Sequence, residues 1–261
     1  SSSGVHPVLR RAPGQARGRR SPVGSFAERR SGGSVPTMAQ QARGIWSSVL
    51  VAGLVSLLVT IVRVTGERSG WSELWFSAAG PGDPQKPQGL LGIGFLIPIF
   101  GFWFGWRLRR TTGEPARLGR ALLVYLLGAV VIGFGFFLCT RLGLVVMPTK
   151  ETPGIPQGMP WAAGLVGAAV LVMFTAWPRL SAVLFAYAVL SRIPVLVVTY
   201  LSVTNDWGTH YDKLPQNFVL PEGTDKVVFL SLPQVTFWIA ATMLGGGLFG
   251  CLGAAMARRK D

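Results

Sequence analysis

Six long apolar runs separated by polar segments are the feature that most limits what this chain can fold into. A helix needs about 20 residues to cross a hydrocarbon core of about 30 Å. Only 14% of the residues are charged, whereas soluble domains average about a quarter. The pattern predicts an all-α integral membrane bundle in a lipid bilayer. The predicted spans are residues 45–64, 90–106, 121–140, 161–177, 180–203 and 235–256.

The first 44 residues differ in composition from the rest of the chain. They hold eight Arg, no Lys and one acid, Glu28, among many Ser, Gly and Pro. Such a segment cannot bury enough apolar surface to fold alone, so we predict a disordered tail. It is a cytoplasmic tail, an extension upstream of a true start at Met38, or an organellar transit peptide. Residues 45–256 then form the membrane domain, and residues 257–261 form a short cytoplasmic basic tail.

The distribution of Lys and Arg predicts the orientation of the spans. With both termini inside, the cytoplasmic segments hold seventeen of the 25 basic residues and the opposite loops hold six. Basic residues favour the cytoplasmic side, so this arrangement is consistent. We predict a six-span protein of a bacterial cytoplasmic membrane, or of an organellar membrane if the tail is a transit peptide. The closest alternative has five spans, with residues 161–190 as one kinked helix and the following residues re-entrant.

Several function classes are disfavoured by the same composition. The net charge of +14 does not indicate nucleic acid, because basic residues flank apolar runs and no zinc-finger or RNA-stacking signature accompanies them. All acidic residues and both histidines lie outside the predicted spans, which argues against proton relays and intramembrane proteases. Cys139 and Cys251 lie within apolar runs and are expected in the core.

Two Arg residues fall inside predicted spans. Arg63 lies near a span end, four residues before Glu67, and can reach the interface or pair with that acid. Arg192 lies mid-span, where insertion of a charge costs about 2.5 to 3.5 kcal/mol. It can bind the Leu190 carbonyl, which Pro194 leaves without a helical donor. An anion such as a lipid phosphate would satisfy its planar fork more fully. Hydroxyl groups expected near it belong to Ser191, Tyr187, Thr199 and Tyr200.

The loop after the fifth predicted span contains residues that can ligate zinc or manganese, namely Asp206, His210 and Asp212. No helical or hairpin spacing brings the three together. Trp207 and Tyr211 suit anchors at the lipid headgroups, so we predict an interfacial loop. A catalytic His210 paired with either Asp would still lack a nucleophile. We therefore predict no metal, no cofactor and no catalytic residue.

Small-residue faces on three predicted spans would let other helices approach closely. They are formed by Gly101 and Gly105, by Ala163 with Gly167 and Gly164 with Ala168, and by Gly246, Gly250 and Gly253. Our first functional hypothesis is a non-enzymatic accessory or structural subunit whose partner is another membrane protein. The second is a permease or lipid-handling protein that binds anionic lipid at a site formed by Arg192, Ser191, Tyr187 and Thr199.

Overall fold

The computed structural model describes residues 38–83, 86–115 and 117–257, and this part of the chain is mostly helical. It contains no β-strand, only two isolated bridges. Most of the predicted N-terminal tail and the last four residues lie outside the described residues. The helices are α1 (Met38–Arg68), α2 (Glu73–Phe76), α3 (Ile93–Thr112), α4 (Leu118–Arg141), α5 (Met159–Ala176), α6 (Pro178–Thr204), α7 (Lys226–Val235) and α8 (Phe237–Met256).

Five helical segments are long and apolar enough to cross a membrane. They are Gly44–Arg68, Leu118–Arg141, Met159–Ala176, Pro178–Thr204 and Lys226–Met256. These segments correspond to five of the six predicted spans, and only Trp177 of the residues in those five spans falls outside them. The remaining predicted span lies on α3, whose last six residues include Arg107, Arg109 and Arg110. A crossing by α3 therefore stays a prediction.

The boundary between α5 and α6 falls at Trp177, which leaves helical geometry at φ −153° and ψ 87°. Pro178 then begins α6 at a position where its missing N–H has no helical partner to lose. From there α6 runs unbroken to Thr204 even though Pro194 lies inside it. The alternative in which residues 161–190 form one kinked helix is wrong.

The sixth predicted span begins earlier than expected and is interrupted. Its first helix, α7, starts at Lys226, because the Asp225 carboxylate accepts two backbone N–H bonds of the first turn, at 2.8 and 3.1 Å. Pro233, which lies just before the predicted start of the span at residue 235 and whose residue type suits a helix start, instead lies inside α7. The chain leaves helical geometry at Thr236, with φ −114° and ψ −82°, before α8 begins.

The most extensive helix pairing joins α3 to α8 through facing glycines. A Cβ atom built on Gly101 would lie 2.5 Å from Cα of Gly246, and one built on Gly105 would overlap the carbonyl of Gly250. A Cβ on Gly253 would overlap the backbone of α3. The prediction that these faces allow close approach is confirmed, and the two faces meet each other.

Helix α6 is the central element of the bundle. It contacts α1, α3, α5, α7 and α8. Of the residues in its most apolar stretch 44% are buried, whereas the corresponding share for α4 is 11%. Its buried residues include the charged Arg192 as well as Ser191, Thr199 and Ser202. Helix α6 therefore carries one buried charge and several buried hydroxyl groups at the centre of the bundle.

Candidate functional site

The first polar centre surrounds Arg192, which is only 4% exposed. Its Nη1 donates to Oε1 of Gln234 at 3.4 Å, and its Nη2 donates to Oγ1 of Thr242 at 3.3 Å. The guanidinium also lies over Trp238, 5.3 Å from the ring centroid. Among the described residues Nε has no hydrogen-bond partner. The charge is thus held by neutral groups on both sides of the break at Thr236.

The predicted neighbours of Arg192 do not supply its hydrogen bonds. Ser191 Oγ donates to the carbonyl of Ala188 at 3.0 Å, as hydroxyls inside helices commonly do. Tyr187 lies near enough to interact electrostatically, but its hydroxyl pairs with Oγ of Ser56 at 3.2 Å. Thr199 is buried two helical turns after Arg192. Because side chains on a helix lean toward its N-terminus, the side chain of Arg192 leans away from Thr199. A ligand-binding role for these four residues stays a prediction.

Neither the Leu190 carbonyl nor Tyr200 is among the described contacts of Arg192. The expected cap on broken backbone is therefore not what the guanidinium does, because it points across to α7 and α8. Tyr200 is exposed, two helical turns further along α6. Gln234, Trp238 and Thr242 are spaced by four residues, which is typical of one helical face, but that spacing alone does not pair this face with Arg192.

The second polar centre surrounds Glu67, whose side chain is fully buried. Arg63 Nε donates to its Oε1 at 2.8 Å, so the predicted pair is confirmed. The backbone N–H of His210 donates to its Oε2 at 3.0 Å. Nδ1 of the same imidazole lies 2.6 Å from Oε1, the distance of an ion pair when His210 is protonated. Glu67 lies just beyond the predicted span 45–64 but within the apolar helical segment Gly44–Arg68, because α1 continues to Arg68.

The loop that carries His210 is anchored by short polar contacts. Oδ2 of Asp212 accepts from the backbone N–H of Gly208 at 2.8 Å, and Ser202 and Thr209 share a hydroxyl hydrogen bond at 2.5 Å. Oδ1 of Asp212 has no hydrogen-bond partner among the described residues. The loop is therefore built into the bundle at the ends of α1 and α6.

The three potential metal ligands of this loop are separated. Asp206 is exposed, His210 contacts Glu67, and Asp212 binds the backbone. In the described ranges no group of three His, Cys, Asp or Glu side chains is placed to hold a metal ion.

The two aromatic residues of the loop do not both anchor at headgroups as predicted. Tyr211 is only 9% exposed and packs on Val195 and Val198, so its predicted interfacial place is wrong. Its ring also lies 3.8 Å from that of His210, centroid to centroid. Trp207 is partly buried beneath the Arg68 guanidinium, 4.6 Å from its ring centroid.

Burial controls the ionisation of this loop. Loss of solvation lowers the pKa of His210 below its usual value; the Glu67 contact opposes this shift, and the nearby Arg63 charge reinforces it. Burial also raises the pKa of Tyr211 well above its usual value. Both shifts favour the neutral side chain. His210 and Tyr211 are thus uncharged near neutral pH.

A cleft of about 550 Å³ lies beside the second polar centre. One wall is formed by Gly80 and Pro81, and the other is formed by the segment that follows His210; the backbone N–H of Gln216 donates to the Pro81 carbonyl across it at 3.1 Å. The charged residues that line it are Asp83, Asp212, Lys213 and Lys226. It does not include Arg192, so the cleft and the first polar centre are separate.

Comparison with known protein families, with curated proteins and with solved structures gives no match. The class of the protein rests on its fold: it is a helical protein with five segments suited to cross a membrane. Sequence reasoning missed the contact between Glu67 and His210, which are 143 residues apart.

Proposed function

We propose that this chain is a six-span protein of a bacterial cytoplasmic membrane, with both ends inside, that serves as a non-enzymatic accessory or structural subunit. The order of the glycine contacts supports the crossing by α3. Gly101 meets Gly246 and Gly105 meets Gly250, so α3 and α8 run in the same direction. The second and sixth spans of a six-span protein must be parallel in this way, and the Arg cluster of α3 then lies inside with the C-terminus.

The observation that carries the subunit hypothesis is the small-residue face of α5. Ala163, Gly164, Gly167 and Ala168 are all exposed, and a Cβ atom built on either glycine meets nothing within 4 Å. The corresponding faces of α3 and α8 are pressed together inside the same bundle. Since helices in membranes associate through such faces, the α5 face is suited to a helix of another membrane protein.

The test is site-specific crosslinking in native membranes from a photoreactive residue at position 171 of α5, next to this face. We expect one dominant heterologous product, which Gly167→Leu removes without changing the amount or melting of the purified chain. Gly133→Leu on α4 is the matched control, because Gly133 is equally open but lies on another helix. Products that survive Gly167→Leu, or crosslinks to lipid alone, would contradict the hypothesis.

A second candidate function is an anion site of a permease or lipid-handling protein at Arg192. The supporting observation is its buried Nε without a partner and the absence of a carboxylate among its described contacts. A phosphate or carboxylate would complete the fork of the guanidinium. Anionic lipid is the natural probe, and the response of Arg192 variants to it distinguishes this candidate from the first.

A further inference from the structure

One face of α3 carries exposed apolar side chains and ends in a cation. Phe95 and Ile99 are 62% and 48% exposed, although both are large and apolar. Trp106 follows Ile99 by seven residues and Arg110 follows Trp106 by four. These spacings keep all four side chains on the same side of the helix. The order along this face is therefore apolar, then aromatic, then cationic.

This order matches the layers of a lipid leaflet. Arg110 follows Ile99 by eleven residues, a rise of about 16 Å along the helix axis. Half of a hydrocarbon core is about 15 Å thick, and tryptophan suits the boundary between hydrocarbon and headgroups. An acyl chain that lies along Phe95 and Ile99 therefore brings its headgroup to the level of Arg110.

Two guanidinium groups lie at the end of this face. Arg110 lies over Trp106, 4.6 Å from the ring centroid, and Arg107 lies over Trp103 at 5.9 Å. Nη1 of Arg107 also donates to Oγ of Ser48 on α1 at 2.6 Å. Residues three positions apart are neighbours on a helix surface. The two cations are thus placed side by side by neutral groups, which do not compensate their charge.

The other charged groups at this end of the bundle are engaged elsewhere. Residues 93–120 contain five Arg and a single acid, Glu114. Oε1 of Glu114 pairs with Nη1 of Arg179 at 3.1 Å. Nη1 of Arg109 donates to two carbonyl groups of the α3–α4 loop. The pair of arginines over the tryptophan rings is therefore the pair that this face offers to an anion.

We propose that Arg107 and Arg110 form a docking surface for the headgroup of an anionic phospholipid, whose acyl chains lie along the exposed face of α3. A phosphate accepts hydrogen bonds from two planar guanidinium groups at once. Basic residues just outside the hydrocarbon also attract anionic lipids. The apolar face adds contact that a free anion would lack. This proposal rests on the crossing by α3 proposed above and is independent of the subunit hypothesis.

The test is native mass spectrometry of the purified full chain in neutral detergent, titrated with phosphatidylglycerol at an ionic strength of about 0.15 M. The native chain should bind this lipid more tightly than phosphatidylcholine, which has no net charge. We expect the double variant Arg107→Gln with Arg110→Gln to bind phosphatidylglycerol at least about tenfold more weakly, because two charge-assisted donors are lost.

The matched control is the double variant Arg117→Gln with Arg120→Gln. It removes two exposed arginines with the same spacing at the same end of the bundle, and neither lies over an aromatic ring in the described part of the chain. Its affinity for phosphatidylglycerol should change by less than about threefold, because salt screens exposed charges that do not touch the headgroup.

Three results would overturn the docking surface. One is equal binding of the two lipids by the native chain. Another is equal weakening by the two double variants, since general attraction to positive charge would then explain the binding. The third is displacement of the lipid by an equal concentration of glycerol phosphate, since the site would then take a free anion. If the first double variant does not fold, the exposed Arg110→Gln alone is compared with Arg120→Gln by the same criterion.

Further variants separate this proposal from the earlier ones. Arg192→Leu should leave phosphatidylglycerol binding unchanged; loss of binding would place the headgroup at Arg192 and overturn the α3 surface. Gly167→Leu on α5 should also leave it unchanged, so failure of the subunit hypothesis is distinguishable from failure here. Labelling of a Cys at Thr111 reports the crossing by α3 separately, because it does not require bound lipid.

Discussion

The contact between α3 and α8 leaves no room for a single methyl group at Gly101. A Cβ atom there would lie 2.5 Å from both Cα and the carbonyl oxygen of Gly246, whereas packed carbon atoms are separated by about 3.5 to 4.0 Å. Both obstructing atoms belong to the backbone, so α3 and α8 would have to separate by about 1 Å. Overpacking of this kind costs about 1 to 3 kcal/mol, and the separation also weakens the neighbouring glycine contacts.

The matched control for Gly101→Ala is Gly133→Ala on α4, where a Cβ atom meets nothing within 4 Å. This control should be neutral or stabilising by up to about 1 kcal/mol, because alanine is the better helix former. The measurement is reversible unfolding in mixed micelles followed by circular dichroism. We expect Gly101→Ala to lower the free energy of unfolding by about 1 to 3 kcal/mol relative to the native chain. Equal stability of the two variants would refute backbone contact as the basis of the pairing.

Three further predictions address topology and the two polar centres. In a cysteine-free background, a Cys at Thr111 should be protected from a membrane-impermeant thiol reagent and a Cys at Gln216 should react; the reverse pattern excludes the proposed orientation. If Arg192 holds an anion, Arg192→Lys should weaken stabilisation by anionic lipid and Arg192→Leu should abolish it without lowering the melting temperature in neutral lipid. Lipid stabilisation that persists in Arg192→Leu eliminates the anion site. Glu67→Ala should lower the free energy of unfolding by about 3 to 5 kcal/mol, because it leaves the buried Arg63 cation without its carboxylate. Glu73→Ala removes a solvent-exposed ion pair and should leave thermal unfolding unchanged. Equal effects of the two variants would contradict the argument from burial.

The elements that could be predicted are those determined by local sequence. Apolar run length located five candidate spans, and it placed the start of the α6 span at residue 180, close to the observed helix start at Pro178. The glycine faces of α3 and α8 could be predicted as close-packing surfaces, because their spacing alone places them on one side of a helix. Local spacing also gave the pair of Arg63 with Glu67, which are one helical turn apart.

The parts that could not be predicted depend on how distant segments of the chain pack against one another. The partners of Arg192 required knowing that α8 lies opposite it, and no spacing within α6 contains that information. The contact of His210 with Glu67 joins residues 143 positions apart, and it forms because the loop folds back on α1. The earlier start of the last span followed from the Asp225 cap, which extends helix into a segment that composition suggested was loop.

The two polar centres solve the problem of buried charge in different ways. At Glu67 a carboxylate lies in direct contact with a guanidinium, so the desolvation cost of each is offset by the other. At Arg192 the described contacts are an aromatic ring and two long hydrogen bonds to neutral groups. A desolvated cation over a Trp face gains about 2 kcal/mol, against an insertion cost of about 2.5 to 3.5 kcal/mol. The two hydrogen bonds then need to contribute only the difference between these energies, about 0.5 to 1.5 kcal/mol. This difference is within the range of a typical net hydrogen bond. Arg192 can therefore be held without a bound anion, which favours the subunit hypothesis over the anion site.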